Sequence, residues 1–219
     1  MEDVEILSQL RKMGTTTISD ALDRLGINGQ CLGIMPLKRS FQLTGKAFTI
    51  RYAPISVEGG SVGDYIDKVN SDTVVVIDNG GRKDVTVWGD LLTLTAHQRN
   101  LAGTVIDGVC RDIDRILELD YPIYSRGNWM RTGKDRVMVV EENVPVSIGG
   151  VLVSPGDYLR GDGDGVVAIP ASKVENVLEA AWMIHTAEDN IRASVLKGET
   201  LKASREKNSY HKLQTRVKS

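Results

Sequence analysis

The chain has 219 residues, of which 41% are hydrophobic and 26% are charged, and its formal net charge is −2. This composition is typical of a globular protein, and the small net charge argues against nucleic acid as the main partner, because phosphate binding favours a surplus of cations. No apolar run reaches the ~20 residues that a membrane-spanning helix requires, so we expect no membrane partner either.

The two cysteines, Cys31 and Cys110, provide neither a CxxC motif nor a disulfide framework. A reduced, cytoplasmic location is the simplest interpretation. Nothing in the sequence resembles a linker, so we expect one domain over residues 1–219.

Two short helices are predicted within residues 1–30. Apolar side chains recur at helical spacing over residues 4–12 and 17–25. Gly14 and Gly26 follow these segments and act as stop signals.

From Phe41 onward the pattern changes to short apolar segments separated by Gly, Pro and Asp. Helices at residues 61–69, 91–99 and 113–119 lie between some of these segments. Alternation of strands and helices, followed by a run of strands, predicts an α/β domain with a mixed sheet. The predicted strands are residues 43–52, 73–78, 104–107, 123–125, 137–140, 144–148, 151–153 and 166–169.

A long C-terminal helix is predicted over residues 172–198. Ser172 and Glu175 have the spacing of a capping box, and apolar residues keep helical spacing until Gly198. At 1.5 Å per residue this helix would be roughly 35–40 Å long, enough to reach a neighbouring subunit. Glu188 on the helix is either solvated or an acidic group in that neighbour's site.

Residues 199–219 form a basic tail. We favour a solvated or partly frayed end over an anion or RNA contact. The basic residues of the tail are Lys202, Arg205, Lys207, Lys212, Arg216 and Lys218.

Three charged residues stand at turns beside predicted helices. Asp90 opens helix 91–99, and Arg111 and Asp112 lie between strand 104–107 and helix 113–119. Taken singly, each carboxylate is most simply an N-cap. Arg111 could likewise be a surface cation that pairs with Asp114 or Glu118.

Together the three residues indicate a binding site. A guanidinium offers a planar fork to a carboxylate, and Asp112 offers a hard oxygen ligand suited to Mg²⁺ or Mn²⁺. The free N–H groups of the helix after Gly89 attract an anion, and Gly80 and Gly81 would let backbone approach a bound group. Cys110 either lines this site or packs in the core, and we favour packing.

The motifs in this region resemble the Asp-x20-Arg-Asp signature of the RraA-like proteins. Twenty residues separate Asp90 from Arg111. The resemblance covers roughly residues 15–200. Its motifs are Gly89-Asp90-Leu91-Leu92, Ala102-Gly103-x-Val105-x-Asp107-Gly108-x-x-Arg111-Asp112, the runs at residues 150–157 and 161–170, and Ser19-Asp20-Ala21-Leu22.

The resemblance implies a swivelling β/β/α fold, with N-terminal helices, a long C-terminal helix, trimers or hexamers, and sites at subunit interfaces. The family includes class II pyruvate aldolases acting on 4-hydroxy-4-methyl-2-oxoglutarate and 4-carboxy-4-hydroxy-2-oxoadipate. It therefore implies a lyase that uses Mg²⁺ or Mn²⁺ to cleave a 4-hydroxy-2-oxo acid to pyruvate through an enolate. Oxaloacetate decarboxylation would occur at the same site.

The same resemblance implies a role for each motif residue. Asp112 would contact the metal directly, and Asp90 would hold it through water and act in catalysis. Arg111 would bind the pyruvyl carboxylate or enolate oxygen. The other substrate-binding residues would be Gly89 and the amides of Leu91 and Leu92.

Two other functions remain open. Some RraA relatives are non-catalytic regulators that bind ribonuclease E. A third possibility is an enzyme acting on another hydroxy- or oxo-acid. The signature places a glycine four residues before Asp90, where this chain has Thr86.

Overall fold

The computed structural model describes residues 1–57, 59–213 and 215. These residues divide into two compact units, one formed by Met1–Gly29 with the described part of Ser172–Ser219, and one formed by Gln30–Ala171. One domain over the whole chain stays a prediction. Within the described ranges, the structure contains no helix with the length and apolar character needed to cross a lipid bilayer.

Seven α-helices and ten strands are found in the described part of the chain. In order they are α1 (Asp3–Arg11), α2 (Thr15–Leu25), β1 (Met35–Pro36), β2 (Leu43–Pro54), β3 (Thr73–Asp78), α3 (Asp90–Gln98), β4 (Gly103–Asp107), α4 (Ile113–Glu118), β5 (Ile123–Ser125), β6 (Val137–Glu142), β7 (Val146–Ile148), β8 (Val151–Val153), β9 (Tyr158–Asp162), β10 (Gly165–Ile169), α5 (Val174–Leu196), α6 (Leu201–Lys207) and α7 (Tyr210–Leu213).

The helical unit is built on α5, which packs against α1, α2, α6 and α7. The two predicted N-terminal helices are confirmed to within two residues at each end. Gly26 ends α2 in the left-handed conformation, with φ 68°, as expected of a glycine stop signal.

The capping box predicted at the start of α5 is wrong. Ala171–Lys173 form a 3-10 turn, so α5 begins at Val174 and its N-cap is Lys173, which makes no side-chain cap. Ser172 therefore lies inside a turn instead of in the extended conformation that an N-cap requires. Glu175 forms an ion pair with the amino group of Met1.

The basic tail is solvated, since Lys202 and Lys207 are exposed, but its described part is helical and not frayed. Thr200 accepts a hydrogen bond from Ala203 N at 3.3 Å and so caps α6, and α7 follows. The Tyr210 hydroxyl donates to Glu188 Oε1 at 2.8 Å, which ties α7 to α5. Glu188 is thus engaged within its own chain. Arg216 and Lys218 lie outside the described residues.

The second unit is an eight-stranded mixed sheet in the order β1-β5-β4-β3-β2-β9-β10, with β6 paired to β2. Strands β2, β3, β4 and β5 are parallel, whereas the pairings of β1, β6, β9 and β10 are antiparallel. Strands β1 and β10, at opposite ends of this order, contact each other, so the sheet nearly closes into a barrel. Strands β7 and β8 form a separate hairpin.

The predicted mixed α/β class, with N-terminal helices and a long C-terminal helix, is confirmed. The main differences are local. Strands β1 and β9 were not predicted, and the helix predicted at residues 61–69 is only a 3-10 turn at Asp64–Lys68. Apolar side chains fill both sides of β3, where Val75 and Ile77 join one core cluster and Val74 and Val76 the other.

Candidate active site

A short parallel ladder beyond the ends of β3 and β4 brings the predicted residues together. Thr86 forms a parallel bridge with Val109. The Val87 amide donates to Val109 O at 3.4 Å, and the Arg111 amide donates to Trp88 O at 3.0 Å. Both segments then turn directly into helices α3 and α4. The twenty-residue separation in sequence therefore becomes direct contact in space.

The Asp112 carboxylate faces α3 rather than its own helix. Asp112 occupies the N-cap position of α4 but makes no side-chain cap, and its φ of 61° is left-handed. Its Oδ2 accepts the Asp90 amide at 3.1 Å and lies 3.4 Å from Arg111 Nε. Arg111 thus pairs with Asp112, and the surface pairing with Asp114 or Glu118 is wrong. Aspartate tolerates this left-handed backbone, which turns the carboxylate away from capping α4 and towards the amide of Asp90.

Asp90 is the first residue of α3, and Gly89 is the N-cap. The Oδ1 atom of Asp90 accepts the amide of Leu91 at 2.8 Å. The Leu91 amide, predicted to bind substrate, therefore donates to Asp90 in this structure. The negative carboxylate at this position is favoured by the free N–H groups and the dipole of the helix terminus.

Gly89 leaves the space that Asp112 and Arg111 occupy. A Cβ atom at position 89 would lie 2.6 Å from Asp112 Oδ2 and 3.2 Å from Arg111 Nε. The backbone here is extended, with φ −151°, so glycine is required by the close approach and not by the dihedral angle. Gly89 is therefore part of the geometry that joins the two turns.

Replacing Gly89 with alanine is expected to displace the Asp112 carboxylate while the protein stays folded. The added methyl group would meet a partly exposed side-chain end, which can rotate away into solvent. If Asp112 is the metal ligand that the resemblance implies, Mn²⁺ affinity should fall about 10- to 100-fold. Electron paramagnetic resonance of free Mn²⁺ measures this, with urea unfolding as the stability control. Unchanged affinity would show that this contact does not position a metal ligand.

A cleft of about 390 Å³ opens beside this cluster. Arg111 also lines an adjoining concavity, of about 460 Å³, that contains Asp112. The cleft includes five of the predicted site residues, which are Gly89, Asp90, Leu91, Leu92 and Arg111. Its other lining residues, missed by the sequence analysis, include Val62, Gly63, Asp64, Thr132, Gly133 and Lys134.

Thr86, at the position of the signature glycine, holds one wall of the cleft. Its amide and its hydroxyl both donate to Arg131 O, at 3.0 and 2.9 Å. Gly133 approaches so closely that a Cβ atom there would lie 2.4 Å from Thr86 O. Thr86 therefore anchors the segment that carries Thr132 and Lys134 into the cleft.

Gly80 and Gly81 do not take the role expected of them. Both have left-handed φ angles, and they form a turn in which Gly80 N donates to Asp78 Oδ1 and Gly81 N to Asp107 O. The turn packs beside the ion pair of Asp107 with Arg126 and is not among the segments that line the cleft. Gly89, and not Gly80 or Gly81, is the glycine that packs against Asp112 and Arg111.

The structure supports the packing interpretation of Cys110. The side chain is fully buried, and its Sγ lies 3.9 Å from Ser125 Oγ. Burial raises the pKa of the Cys110 thiol to about 11. The group therefore stays a neutral thiol at physiological pH and holds the strand-like segment beside Arg111 in place.

The donor set fits a hard divalent cation with few protein ligands. Within the described residues, no group of three or more His, Cys, Asp or Glu side chains is placed to hold a metal ion. Asp112 uses Oδ2 for its contacts with Asp90 and Arg111, so Oδ1 is the oxygen left to meet a cation. Mg²⁺ and Mn²⁺ commonly bind through one or two carboxylates and keep several waters.

Comparison with known proteins identifies the fold. The RraA-like (Aldolase/RraA) family model matches residues 15–168. Streptomyces coelicolor RraAS2, described as an unusual member of the RNase ES inhibitor RraA protein family, superposes with a TM-score of 0.79 at 28% identity, over 87% of this chain and 97% of that chain. The predicted RraA-like fold is therefore confirmed.

Two relatives extend the similarity. The Legionella pneumophila protein DlpA is 41% identical over 94% of this chain, but the match spans only 34% of DlpA. A candidate 4-hydroxy-4-methyl-2-oxoglutarate aldolase of Halalkalibacterium halodurans is 36% identical over 82% of this chain and 83% of its own length.

Proposed function

Because the chain belongs to the RraA-like family, we propose that it is a metal-dependent carbon–carbon lyase that cleaves 4-hydroxy-2-oxo acids to pyruvate. The observation that carries the proposal is the contact of Asp112 with both Asp90 and Arg111 at the edge of the cleft. The name of the Halalkalibacterium halodurans relative suggests 4-hydroxy-4-methyl-2-oxoglutarate as a substrate to test.

Arg111 binds the acidic end of the substrate in this proposal. Its side chain is 40% exposed, so the guanidinium can meet an anion that enters from solvent. A planar fork pairs with two oxygens of a carboxylate or with an enolate oxygen. The amides of Asp90 and Leu91 already donate to carboxylates, so the Leu92 amide is the first-turn donor that α3 adds for the same anion.

The Asp90 carboxylate removes the proton of the 4-hydroxyl group through a bound water. When that proton leaves, the oxygen electron pair forms a carbonyl at C4 and the C3–C4 bond breaks. The bonding electrons pass to the pyruvyl fragment as an enolate, which Arg111 stabilises and which is protonated at C3 to give pyruvate. A Mg²⁺ or Mn²⁺ ion on Asp112 would supply Lewis-acid polarisation of the 2-oxo group.

Oxaloacetate decarboxylation should occur at the same residues. Loss of CO₂ breaks one carbon–carbon bond and leaves the same pyruvate enolate, so Arg111 would stabilise it in the same way. We also propose a homotrimer or hexamer in the cytoplasm, with residues of a neighbouring subunit completing the site.

The test is EDTA-sensitive pyruvate formation. Protein stripped of metal is given Mg²⁺ or Mn²⁺ with either oxaloacetate or 4-hydroxy-4-methyl-2-oxoglutarate, and pyruvate is followed with a coupled dehydrogenase. The metal-only rate is subtracted, because divalent ions decarboxylate oxaloacetate slowly in solution. We expect turnover that EDTA abolishes and added metal restores. Equal rates with and without protein would refute the proposal.

A regulatory role is the second candidate, favoured by the similarity to RraAS2 over 97% of that chain. A regulator of this kind would need no cation on Asp112. Absence of turnover with every divalent ion, together with tight binding to ribonuclease E, would favour this function over the lyase.

A further inference from the structure

A buried hydrogen-bond chain holds the turn that carries Gly89 and Asp90. The indole N–H of Trp88 donates to Thr93 Oγ1 at 2.8 Å, and Thr93 Oγ1 donates to Gly89 O at 2.8 Å. The Thr93 amide donates to the same carbonyl at 3.0 Å. Thr93 is fully buried and Trp88 nearly so, which keeps water from competing for these groups.

The direction of the Thr93 hydroxyl proton follows from its partners. An indole N–H can only donate, so Thr93 Oγ1 accepts from Trp88 and must direct its own proton to Gly89 O. Trp88 is itself fixed, since its ring stacks on Tyr121 with a centroid distance of 6.3 Å and an interplanar angle of 5°. The chain is therefore anchored in the core on one side and ends at the Gly89 carbonyl on the other.

The hydrogen-bond chain holds the Gly89 peptide in place. The Asp90 amide, which follows it, donates to Asp112 Oδ2, and the Gly89 Cα packs against the same carboxylate and Arg111. The backbone of Trp88 also contacts the site, because its carbonyl accepts a hydrogen bond from the Arg111 amide. A shift of the Gly89 carbonyl would therefore move both sides of the cluster.

We infer that Thr93 is a positioning residue that fixes the Gly89-Asp90 turn against Asp112 and Arg111, with Trp88 setting the direction of its hydroxyl. The catalytic part of this inference rests on the proposed lyase function. Thr93 itself does not line the cleft and would touch no substrate.

The experiment compares Thr93→Val, Thr93→Ser and Thr49→Val. Valine keeps the volume of threonine but removes the hydroxyl, whereas serine keeps the hydroxyl. Thr49 is the matched control, because it is also fully buried and its hydroxyl also donates to a backbone carbonyl, that of Val144 at 2.6 Å, outside the hydrogen-bond chain that ends at Gly89. Removing either threonine hydroxyl should lower Tm by roughly 2–8 °C.

Two readouts separate positioning from loss of stability. We expect Thr93→Val to reduce kcat for oxaloacetate about tenfold with a smaller change in KM, and Thr93→Ser to recover it within about twofold. Hydrogen exchange of the Asp90 amide, followed by nuclear magnetic resonance, should speed up about tenfold in Thr93→Val and stay unchanged in Thr49→Val. The Asp90 amide should exchange no faster in the double variant Trp88→Phe/Thr93→Val than in Thr93→Val, since both substitutions break the same hydrogen-bond chain.

Equal effects of Thr93→Val and Thr49→Val on kcat and on Asp90 exchange would overturn the inference, because loss of stability would then explain the effects of both variants. Wild-type protein without turnover would refute the proposed lyase function alone. In that case the Asp90 exchange rates still decide whether Thr93 positions the turn.

Discussion

Replacing Asp112 with asparagine is expected to reduce metal-dependent turnover about 10³-fold, which corresponds to about 4 kcal/mol of activation free energy. Asparagine removes the charge that a divalent cation needs but keeps the shape of the side chain. It also tolerates the left-handed φ of 61° at this position, so the fold should be retained. Mn²⁺ affinity and kcat, measured on the same preparation, test the prediction.

The matched control for this variant is Asp114→Asn. Asp114 lies in the first turn of the same helix α4 and is not among the residues that line either concavity at the site. The Asp114→Asn variant should bind Mn²⁺ and turn over oxaloacetate as the wild type does. If Asp112→Asn kept wild-type Mn²⁺ affinity, Asp112 would not be the metal ligand.

Replacing Arg111 with methionine is expected to reduce kcat/KM about 10²–10³-fold, which corresponds to about 3–4 kcal/mol of activation free energy. Methionine retains much of the hydrophobic length of arginine but cannot bind a carboxylate or an enolate oxygen. Arg111→Lys should recover only part of the loss, because a lysine keeps the charge but lacks the planar fork. Inhibition by oxalate, which resembles the pyruvate enolate, should weaken in parallel with kcat/KM.

Arg115→Met is the control for the loss of a cation. Arg115 lies on α4 and pairs with Glu118 at the surface, away from both concavities. Its substitution should leave oxalate inhibition unchanged. Full metal-dependent turnover in Arg111→Met would exclude the proposed role of Arg111.

Local signals in the sequence were sufficient for most of the secondary structure. Apolar spacing and a terminal glycine predict α2, and a continuous apolar run predicts β3, since both signals act over a few neighbouring residues. Strand β9 was not predicted because its first four residues are all buried, so the strand has no alternating pattern. The capping box failed because a 3-10 turn occupies the positions at which Ser172 would have capped.

The candidate site was predictable in its residue types and not in its contacts. Asp90, Arg111 and Asp112 were identified from their turns and their spacing. The ladder between residues 86–88 and 109–111 joins segments far apart in sequence, so no local pattern indicates it. The same holds for the wall formed by Thr132 and Lys134, which depends on the bond between Thr86 and Arg131.

The two segments that lead into this ladder should differ in how well they accept an inserted peptide. Residues 79–85 connect β3 to the ladder as a long loop, whereas Gly108 alone connects β4 to it. This one-residue link is also crowded, because a Cβ atom at Gly108 would lie 3.0 Å from Asn79 Cβ. A peptide tag or a fluorescent reporter inserted near Lys83 should therefore be tolerated close to the candidate site, while an insertion after Asp107 would shift the register that aligns the two turns.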